Sequence, residues 1–561
     1  MKTANHVIAS VFYDLAFYHE MEGVAFKPQA YERAAEALEA LGQDVQELYQ
    51  REGIKGLEKI PGVGKSIAEK IEEYLKAGKI VLHEEYRKKF PVDLEELGSV
   101  EGVGPKKVKE LYEKLGIRNI ADLESAAKKG KIRELERFGK KTEENILQSI
   151  EFVKRSQGRW LLGDIYPYVY EILSLLKKSG IFETVEVAGS IRRMKETIGD
   201  IDILGTTETP EKAVEYFLSH IPQKKIWGKG ATKVSIRTLH GFDIDLRVLS
   251  PTIYGAALQY FTGSKEHNVK LRTYAVEHGL KVSEYGVFRG KKLIAGKTEE
   301  EVYKALGMPY IEPELREDRG EIEAALENSL PKMIEYGSLR GDLQIQTNWT
   351  DGKNSIEEMA KEAKRQGLEY IAITDHTRDL AMTGGSDEPK LLRQMKEIDE
   401  VNKRVSGIRV LKGAEVNIRK DGTLDISDEV LSQLDVVGVS VHSLFKMSKK
   451  DMTERIVRAI KNPNVDILFD MDAVMDAANE TGTMLEANAH PERLDLKDSH
   501  IKMAIEKGVQ LVIDSDAHNA SDISFLRYGV AQARRGWAAK KDILNTLPVE
   551  RLLGSLKNRK I

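Results

Sequence analysis

The sequence predicts a multidomain chain: helical N-terminal domains, a central α+β domain and a C-terminal barrel of seven βα units. Three observations lead there. The 561 residues exceed what one hydrophobic core organises. Glycine-bounded helical segments fill the first part of the chain. From Ser338 onward, short apolar strands recur with helical stretches between them.

Helical patterning runs from Val7 to about Glu52 and breaks at Gly53 to Gly56. The stretch Leu57-Glu58-Lys59-Ile60-Pro61-Gly62-Val63-Gly64-Lys65-Ser66 then leads through a tight hairpin into a helix. A second copy, Val100-Glu101-Gly102-Val103-Gly104-Pro105-Lys106-Lys107-Val108, follows. Backbone N–H groups at such helix starts can hold a phosphate, with Gly62, Gly64, Lys65, Gly102, Gly104 and Lys106 as the candidates. The alternative is a pair of ordinary helix–turn–helix corners.

In the centre, Val185-Glu186-Val187-Ala188 alternates as a strand and leads into Gly189-Ser190-Ile191-Arg192-Arg193. Gly199-Asp200-Ile201-Asp202-Ile203 alternates again, so Asp200 and Asp202 point to one face. Paired carboxylates repel unless a cation separates them, and oxygen ligands suit a hard ion that also binds phosphate. The Gly-Ser turn offers N–H groups and a hydroxyl to a phosphate, and Arg193 adds charge. Phe242-Asp243-Ile244-Asp245-Leu246 is a further alternating strand. The charged, proline-bounded stretch Glu312 to Pro331 predicts a linker helix between domains.

In the C-terminal part, seven apolar strands begin near Leu343, Tyr370, Val410, Val436, Val465, Met484 and Leu511. Several end in polar residues, which a βα barrel gathers at one mouth. His376, Glu415, His442, Asp516 and His518 at those ends form a metal-type ligand set. A single strand-end histidine is commonly structural. Five such groups on four strands point to a metal centre.

Apolar residues make up 41% and charged residues 31%, as in ordinary soluble proteins. No apolar run approaches the ~20 residues of a membrane span, and no secretion signal is evident. The absence of cysteine excludes disulfides and fits a cytoplasmic setting. A net charge of −4 confines any nucleic-acid contact to local basic patches. No membrane partner is expected, and a monomer is.

The Gly-Ser turn with its Asp-x-Asp resembles the nucleotidyltransferase palm of the DNA polymerase β family, family X. Tyr260-Phe261-Thr262-Gly263-Ser264 matches that family's sequence turn, and the resemblance covers essentially the whole chain. It implies Asp200, Asp202 and Asp245 as catalytic ligands of Mg2+ or Mn2+ in two-metal nucleotidyl transfer. It implies Gly189, Ser190 and Arg193 at the triphosphate, Tyr260 and Phe261 where a ribose 2′-hydroxyl is excluded, Asn268 and Arg272 on the minor-groove side of the new base pair, and Gly199 and Gly263 also among the nucleotide-binding residues. The hairpins resemble helix-hairpin-helix elements. Lys70 matches the lysine that forms a Schiff base with an abasic sugar, and Lys27 and Tyr31 match its 5′-phosphate pocket. Lys70 as a plain surface lysine is the alternative, and the other pocket lysine of the family is Ser66 here.

The C-terminal barrel resembles the polymerase-and-histidinol-phosphatase (PHP) domain. Asp351, His376, Glu415, His442, Asp516 and His518 match its metal ligands, with Zn2+ or Mn2+ implied. The family's opening His-x-His is Gln344-Ile345-Gln346 here, and its Gly-His-Pro loop is missing around Phe469-Asp470-Met471. The expected domains are a lyase-like domain at 1–82, a second helical DNA-binding domain at 83–157 and the palm at 158–250. A nascent-base-pair subdomain at 251–316, a linker at 317–337 and the PHP domain at 338–561 follow. The expected function is DNA-directed filling of short gaps from dNTPs, on gapped or primed DNA with a 5′-phosphate and with 3′–5′ exonuclease activity weak or lost. The alternatives are retained PHP phosphoesterase activity and a template-independent nucleotidyltransferase.

Overall fold

The computed structural model describes residues 4–39, 41, 45–60, 62–98, 100, 103–135, 138–156, 159–380, 383–444, 447–469 and 474–556. They divide into two compact units, one of residues 1–160, 237–242 and 265–294, the other of 161–236, 243–264 and 295–561.

In the first unit, α1 (Ala4–Glu22), α2 (Lys27–Glu39), α3 (Lys65–Ala77) and α4 (Pro105–Leu115) share one core. Ile8, Phe12 and Leu15 of α1 meet Ala34 and Leu38 of α2, Ile67 and Ile71 of α3, and Val108 and Leu111 of α4. Gly62 holds a left-handed φ of 82° that a side chain would strain, and extended Gly64 and Gly104 cap α3 and α4. Both hairpins expected from the sequence therefore lead into helices. Gly102 of the second, and Pro61 of the first, lie outside the described residues. The helix Lys265–Glu277 and the antiparallel strands Lys281–Ser283 and Gly286–Arg289 also belong to this unit.

The second unit holds two sheets. The first contains β1 (Thr184–Val187), β2 (Ile201–Thr206), β3 (Gln223–Lys229), β4 (Lys233–Thr238) and β5 (Asp243–Leu249), in the order β1-β2-β5-β4-β3. Along β5, Ile244, Leu246 and Val248 are buried while Asp243, Asp245 and Arg247 alternate to the other face. β2 and β5 run parallel, and their register places Asp202 opposite Asp245.

The other sheet contains β6 (Gly341–Ile345), β7 (Tyr370–Ile373), β8 (Arg409–Asn417), β9 (Val436–Ser440), β10 (Ile467–Leu468), β11 (Met484–Asn488) and β12 (Leu511–Asp514). These seven strands neighbour one another in chain order, all parallel. The seam joins the first to the last: Leu343 N donates to Asp514 Oδ1 at 2.7 Å, and Gln346 N to the Ala517 carbonyl at 2.9 Å. Each expected strand is present. Residues 470–473, where the loop is shortened, lie outside the described residues.

The stretch Glu312 to Pro331, expected as a linker helix, forms a turn at Pro313–Leu315 and a short helix at Glu321–Leu326. Its charges are internal partners. Arg316 is fully buried and donates to Glu299 at 2.6 Å and to the Ile311 carbonyl at 2.9 Å, while Glu321 accepts the Asp318 and Arg319 N–H groups. Charge in a sequence signals water only when no opposite charge folds against it. Among the described residues, no helix is long and apolar enough to cross a membrane.

Candidate active sites

In the palm, the chain leaves β1 and turns at Gly189, whose φ of 66° favours glycine; a Cβ there would lie 3.6 Å from Asp202 Oδ2. The turn continues as α5 (Gly189–Arg192), a single helical turn carrying half-buried Ser190. Ala188 N donates to the Asp202 carbonyl at 2.8 Å, which fixes the turn against the acidic strand. Asp200 is exposed, and Asp202 and Asp245 are half-buried. Burial, and then the charges of Asp200 and Asp245, push the Asp202 carboxyl up to about 7, with Arg247 and Lys233 opposing. Asp245 Oδ2 lies 3.0 Å from Lys233 Nζ and 3.4 Å from Arg247 Nη2. A carboxylate forced toward neutrality by burial and by two like charges is what a divalent cation relieves, and an all-oxygen donor set suits Mg2+ or Mn2+.

The two arginines after the turn are tied to Thr262, the centre of the Tyr-Phe-Thr-Gly-Ser sequence. Arg192 Nη1 donates to Thr262 Oγ1 at 2.7 Å and pairs with Glu299 at 2.6 Å; Arg193 donates to the Thr262 carbonyl and, through Nε, to Glu317 at 2.9 Å. Arg247 lies over the Phe261 ring at 4.5 Å, and Tyr260 meets Phe261 edge-on at 5.3 Å. Gly199, Tyr260 and Phe261 are half-buried and Gly263 is buried. Asn268, buried, and Arg272, exposed, lie on the helix Lys265–Glu277 of the other unit.

Burial alone would raise the Glu299 carboxyl, but Arg316 and Arg192 hold it down at about 2. A depressed carboxylate stabilises the fold above its unfolded value, 4.5, and that contribution is lost as pH falls toward 2. Glu299→Gln is therefore expected to cost on the order of 3 kcal/mol at neutral pH. Urea unfolding of both proteins should show the difference shrinking through that acidic window. An equal difference at both ends would refute the linkage.

In the first unit, a cavity of about 620 Å3 is lined by Lys27, Tyr31, Gly62, Gly64, Lys65, Ser66 and Lys70. Lys27 is exposed, Lys70 half-buried, and Tyr31 buried with its ring stacked on His19 at 5.4 Å. Gly104 and Lys106, by contrast, line a different cavity of about 590 Å3 with Phe26 and Lys107.

At the barrel mouth, two groups of ligand atoms converge to within 4.8 Å among the described residues: Asp351, His376 and His518, and His376, Glu415 and His442. The palm carboxylates are not drawn together in this way. His376 faces both groups, Nε2 at 3.5 Å from Asp351 Oδ2 and Nδ1 at 3.5 Å from Glu415 Oε2. His518 Nε2 lies 3.7 Å from Asp351, and His442 Nε2 3.0 Å from Glu415 Oε1. Asn417 Oδ1 orients His442 through Nδ1 at 2.6 Å. Asp516 is paired with Arg493 at 3.2 Å and accepts from Asn488 at 3.3 Å, while its Oδ1 lies 3.9 Å from His518 Nδ1.

Gln344 and Gln346, both fully buried, turn their amides onto one atom. Their Nε2 groups donate to Glu415 Oε2 at 3.1 and 2.9 Å, and neither Oε1 has a partner among the described residues. Burial would raise the Glu415 carboxyl, but His376, His442 and the Gln344 amide bring it down to about 2. The amide hydrogens thus satisfy one carboxylate oxygen directly. The donors near Asp351 suit one Zn2+ or Mn2+, whereas the Glu415 side is partly taken up by protein hydrogen bonds.

Several functional candidates carry no local sequence signal. Glu317, Arg535, Asn417 and Arg493 reach the sites only through tertiary pairing. Asp342 and Asp514 form a buried acidic pair at the barrel seam, with Asp342 pushed up to about 7 by its burial.

Hairpin-led helices, a sheet with three carboxylates beside a Gly-Ser turn, and a histidine-rich βα barrel define a polymerase-type nucleotidyltransferase fused to a phosphoesterase-type barrel. Family models match in each part: a helix-hairpin-helix domain over 3–80, a SAM-like helix-hairpin-helix tandem over 94–151, a DNA polymerase beta thumb over 257–317 and a PHP domain over 342–522. The chain is 35% identical over 563 aligned positions to the DNA polymerase/3′-5′ exonuclease PolX of Bacillus subtilis, covering 97% of each. A probable phosphatase of Thermoanaerobacter sp. is 30% identical over 226 positions, 37% of this chain and 89% of that protein. One of Acetivibrio thermocellus is 34% identical over 189 positions, 30% and 75% respectively. The chain belongs to the family X DNA polymerases that carry a PHP domain.

Proposed function

We propose that the protein fills short gaps in DNA during repair, extending a primer 3′-end from dNTPs as a monomer. The observation that carries this is the pairing of Asp202 with Asp245 across parallel strands, next to the Gly189 turn. Bound Mg2+ or Mn2+ supplies charge neutralisation for the triphosphate and acidity for the primer hydroxyl. Asp200 and Asp202 present carboxylates toward the nucleotide and Asp245 toward the primer end. The Gly189 turn and Ser190 donate to the triphosphate, with Arg193 supplying charge and Gly199 leaving room. Tyr260, Phe261 and Gly263 shape the sugar pocket, and Asn268 and Arg272 contact the nascent pair. Extension of a primer across a one-nucleotide gap, with Mg2+ or Mn2+, tests the reading. Extension without a template would favour a tailing enzyme instead.

The helix starts behind Gly62, Gly64 and Lys65, and behind Gly104 and Lys106, grip DNA phosphates without reading bases, and Gly102 is assigned with the second. Binding should therefore weaken steeply with salt and little with sequence. The shared cavity of Lys27, Tyr31 and Lys70 is the pocket for a downstream 5′-phosphate, and Lys70 is the candidate Schiff-base nucleophile for an abasic sugar. Removing that phosphate is expected to lower gap affinity about tenfold. Borohydride should trap an adduct with abasic DNA that disappears in Lys70→Ala. Unchanged affinity without the phosphate would remove the pocket's assigned role, and an adduct persisting in Lys70→Ala would remove that of Lys70.

In the barrel, we assign Asp351, His376 and His518 to one remaining ion and read the exonuclease centre as impaired. Glu415, His442 and Asp516 keep ligand chemistry, but Glu415 is engaged by Gln344 and Gln346, His442 by Asn417 and Glu415, and Asp516 by Arg493.

A further inference from the structure

The barrel helix α6 (Leu526–Arg535) packs against the palm along one face. Arg527 lies over Tyr166 at 4.2 Å, Gln532 donates to Glu196 at 3.0 Å, and Arg535 reaches furthest in. The Arg535 side chain is 2% exposed. Its Nη1 donates to the Arg193 carbonyl at 2.9 Å and to Glu317 Oε1 at 3.0 Å, and its Nη2 donates to Asp498.

These contacts hold both parts of Arg193. Its carbonyl stands at the C-terminal cap of the helical turn Gly189–Arg192, where carbonyls lack partners within the helix. Its guanidinium shares Glu317 Oε1 with Arg535, at 2.9 Å. Lys195 lies 3.5 Å from the other Glu317 oxygen, and Arg319 pairs with Asp498 at 2.7 Å. Four cations, Arg193, Lys195, Arg319 and Arg535, thus meet two carboxylates, Glu317 and Asp498. A buried pair is normally balanced. This cluster keeps a positive excess beside a turn suited to an anion.

We propose that Arg535 is a positioning residue for nucleotidyl transfer, through which the PHP barrel sets the phosphate-binding turn of the palm. Its partners are Arg193, Glu317 and Asp498, none of them an assigned metal ligand, and it fixes the residue that ends the turn and adds to its positive field. This deepens the polymerase reading above and rests on it. It gives the barrel a task that needs none of its metal ligands. A planar fork that donates to a carbonyl and two carboxylates suits arginine, whose geometry lysine cannot reproduce.

The test uses the full-length protein, with Arg535→Ala, Arg535→Lys and, as a control, Arg534→Ala. Arg534 lies on the same helix and is also buried, its side chain 10% exposed, but donates to Glu314 at 2.8 Å and to the Ile334 carbonyl at 2.8 Å, away from the turn. Single-nucleotide gap filling should show the KM for dNTP rising about tenfold in Arg535→Ala, with kcat changed less and gapped-DNA affinity unchanged. Arg535→Lys should fall between. Arg534→Ala should lower the melting temperature while leaving the KM for dNTP near that of the parent. An unchanged KM in Arg535→Ala, or an equal rise in Arg534→Ala, would overturn the proposal. Equilibrium binding of dNTP with Ca2+ reads the same turn without turnover. If the parent protein fails to extend primers, the polymerase reading falls, yet a dNTP affinity lost in Arg535→Ala alone would still uphold the positioning role, and one kept in it would end it.

Discussion

Asp202→Ala and Asp245→Ala are each expected to abolish gap filling, by roughly a thousandfold or more, while leaving affinity for gapped DNA nearly intact. Burial, with the charges of Asp200 and Asp245 beside it, pushes the Asp202 carboxyl up to about 7. In the proposed role, removing it would take away a charge for holding a divalent ion near the triphosphate, worth several kcal/mol in a charged transition state. Asp245 stands across the strand pair and next to Lys233 and Arg247. Its loss leaves those cations facing the site with no carboxylate between them. The hairpins proposed to hold DNA belong to the other unit, so binding should survive. Single-turnover extension alongside a DNA titration checks both halves. Extension surviving in either variant would disprove the palm assignment.

In the presence of Mn2+, the purified protein is expected to degrade labelled single-stranded DNA from the 3′-end slowly or not at all, by orders of magnitude below an intact multi-metal centre. A two-ion hydrolase must hold its ions at fixed spacing to clamp the attacking and leaving oxygens. Here two amide groups occupy the same Glu415 oxygen, at 3.1 and 2.9 Å, where the resemblance implies imidazole ligands. Neutral amides are poor donors to Zn2+ or Mn2+, and these point hydrogens rather than lone pairs at the carboxylate. Gln344→His with Gln346→His is expected to raise the bound metal per chain, read by elemental analysis, even if the shortened loop keeps hydrolysis low. Degradation that is robust in the parent, persists in Asp202→Ala and vanishes in His376→Ala would show the exonuclease to be intact.

Much of the architecture was legible because its signals are periodic and local. The seven barrel strands are short apolar runs, and a strand buried on both faces needs such a run wherever it sits. The hairpins were legible from glycines that the backbone requires, Gly62 above all with its positive φ. The Asp-x-Asp spacing placed two carboxylates on one face because a strand repeats every second residue. In the charged stretch from Glu312, residue type does not give the partners: Arg316 finds Glu299 and Glu321 finds two backbone N–H groups inside the fold.

By itself, the sequence determined the succession of helical, α+β and barrel parts, three of the five palm strands and all seven barrel strands, and it nominated the candidate ligand side chains at the strand ends. These depend on residue type and short-range spacing, which propensity and period encode directly. Only the tertiary structure decided which ligands stay available and which are engaged. The Gln344 and Gln346 amides meet Glu415 across about seventy residues, Arg493 takes up Asp516, and Arg535 reaches Arg193 from the far end of the chain. Such pairings arise when separate elements pack and buried polar groups must find partners at hydrogen-bond distance. That requirement acts through space, between residues with no spacing in common, and so leaves no periodic trace in the sequence.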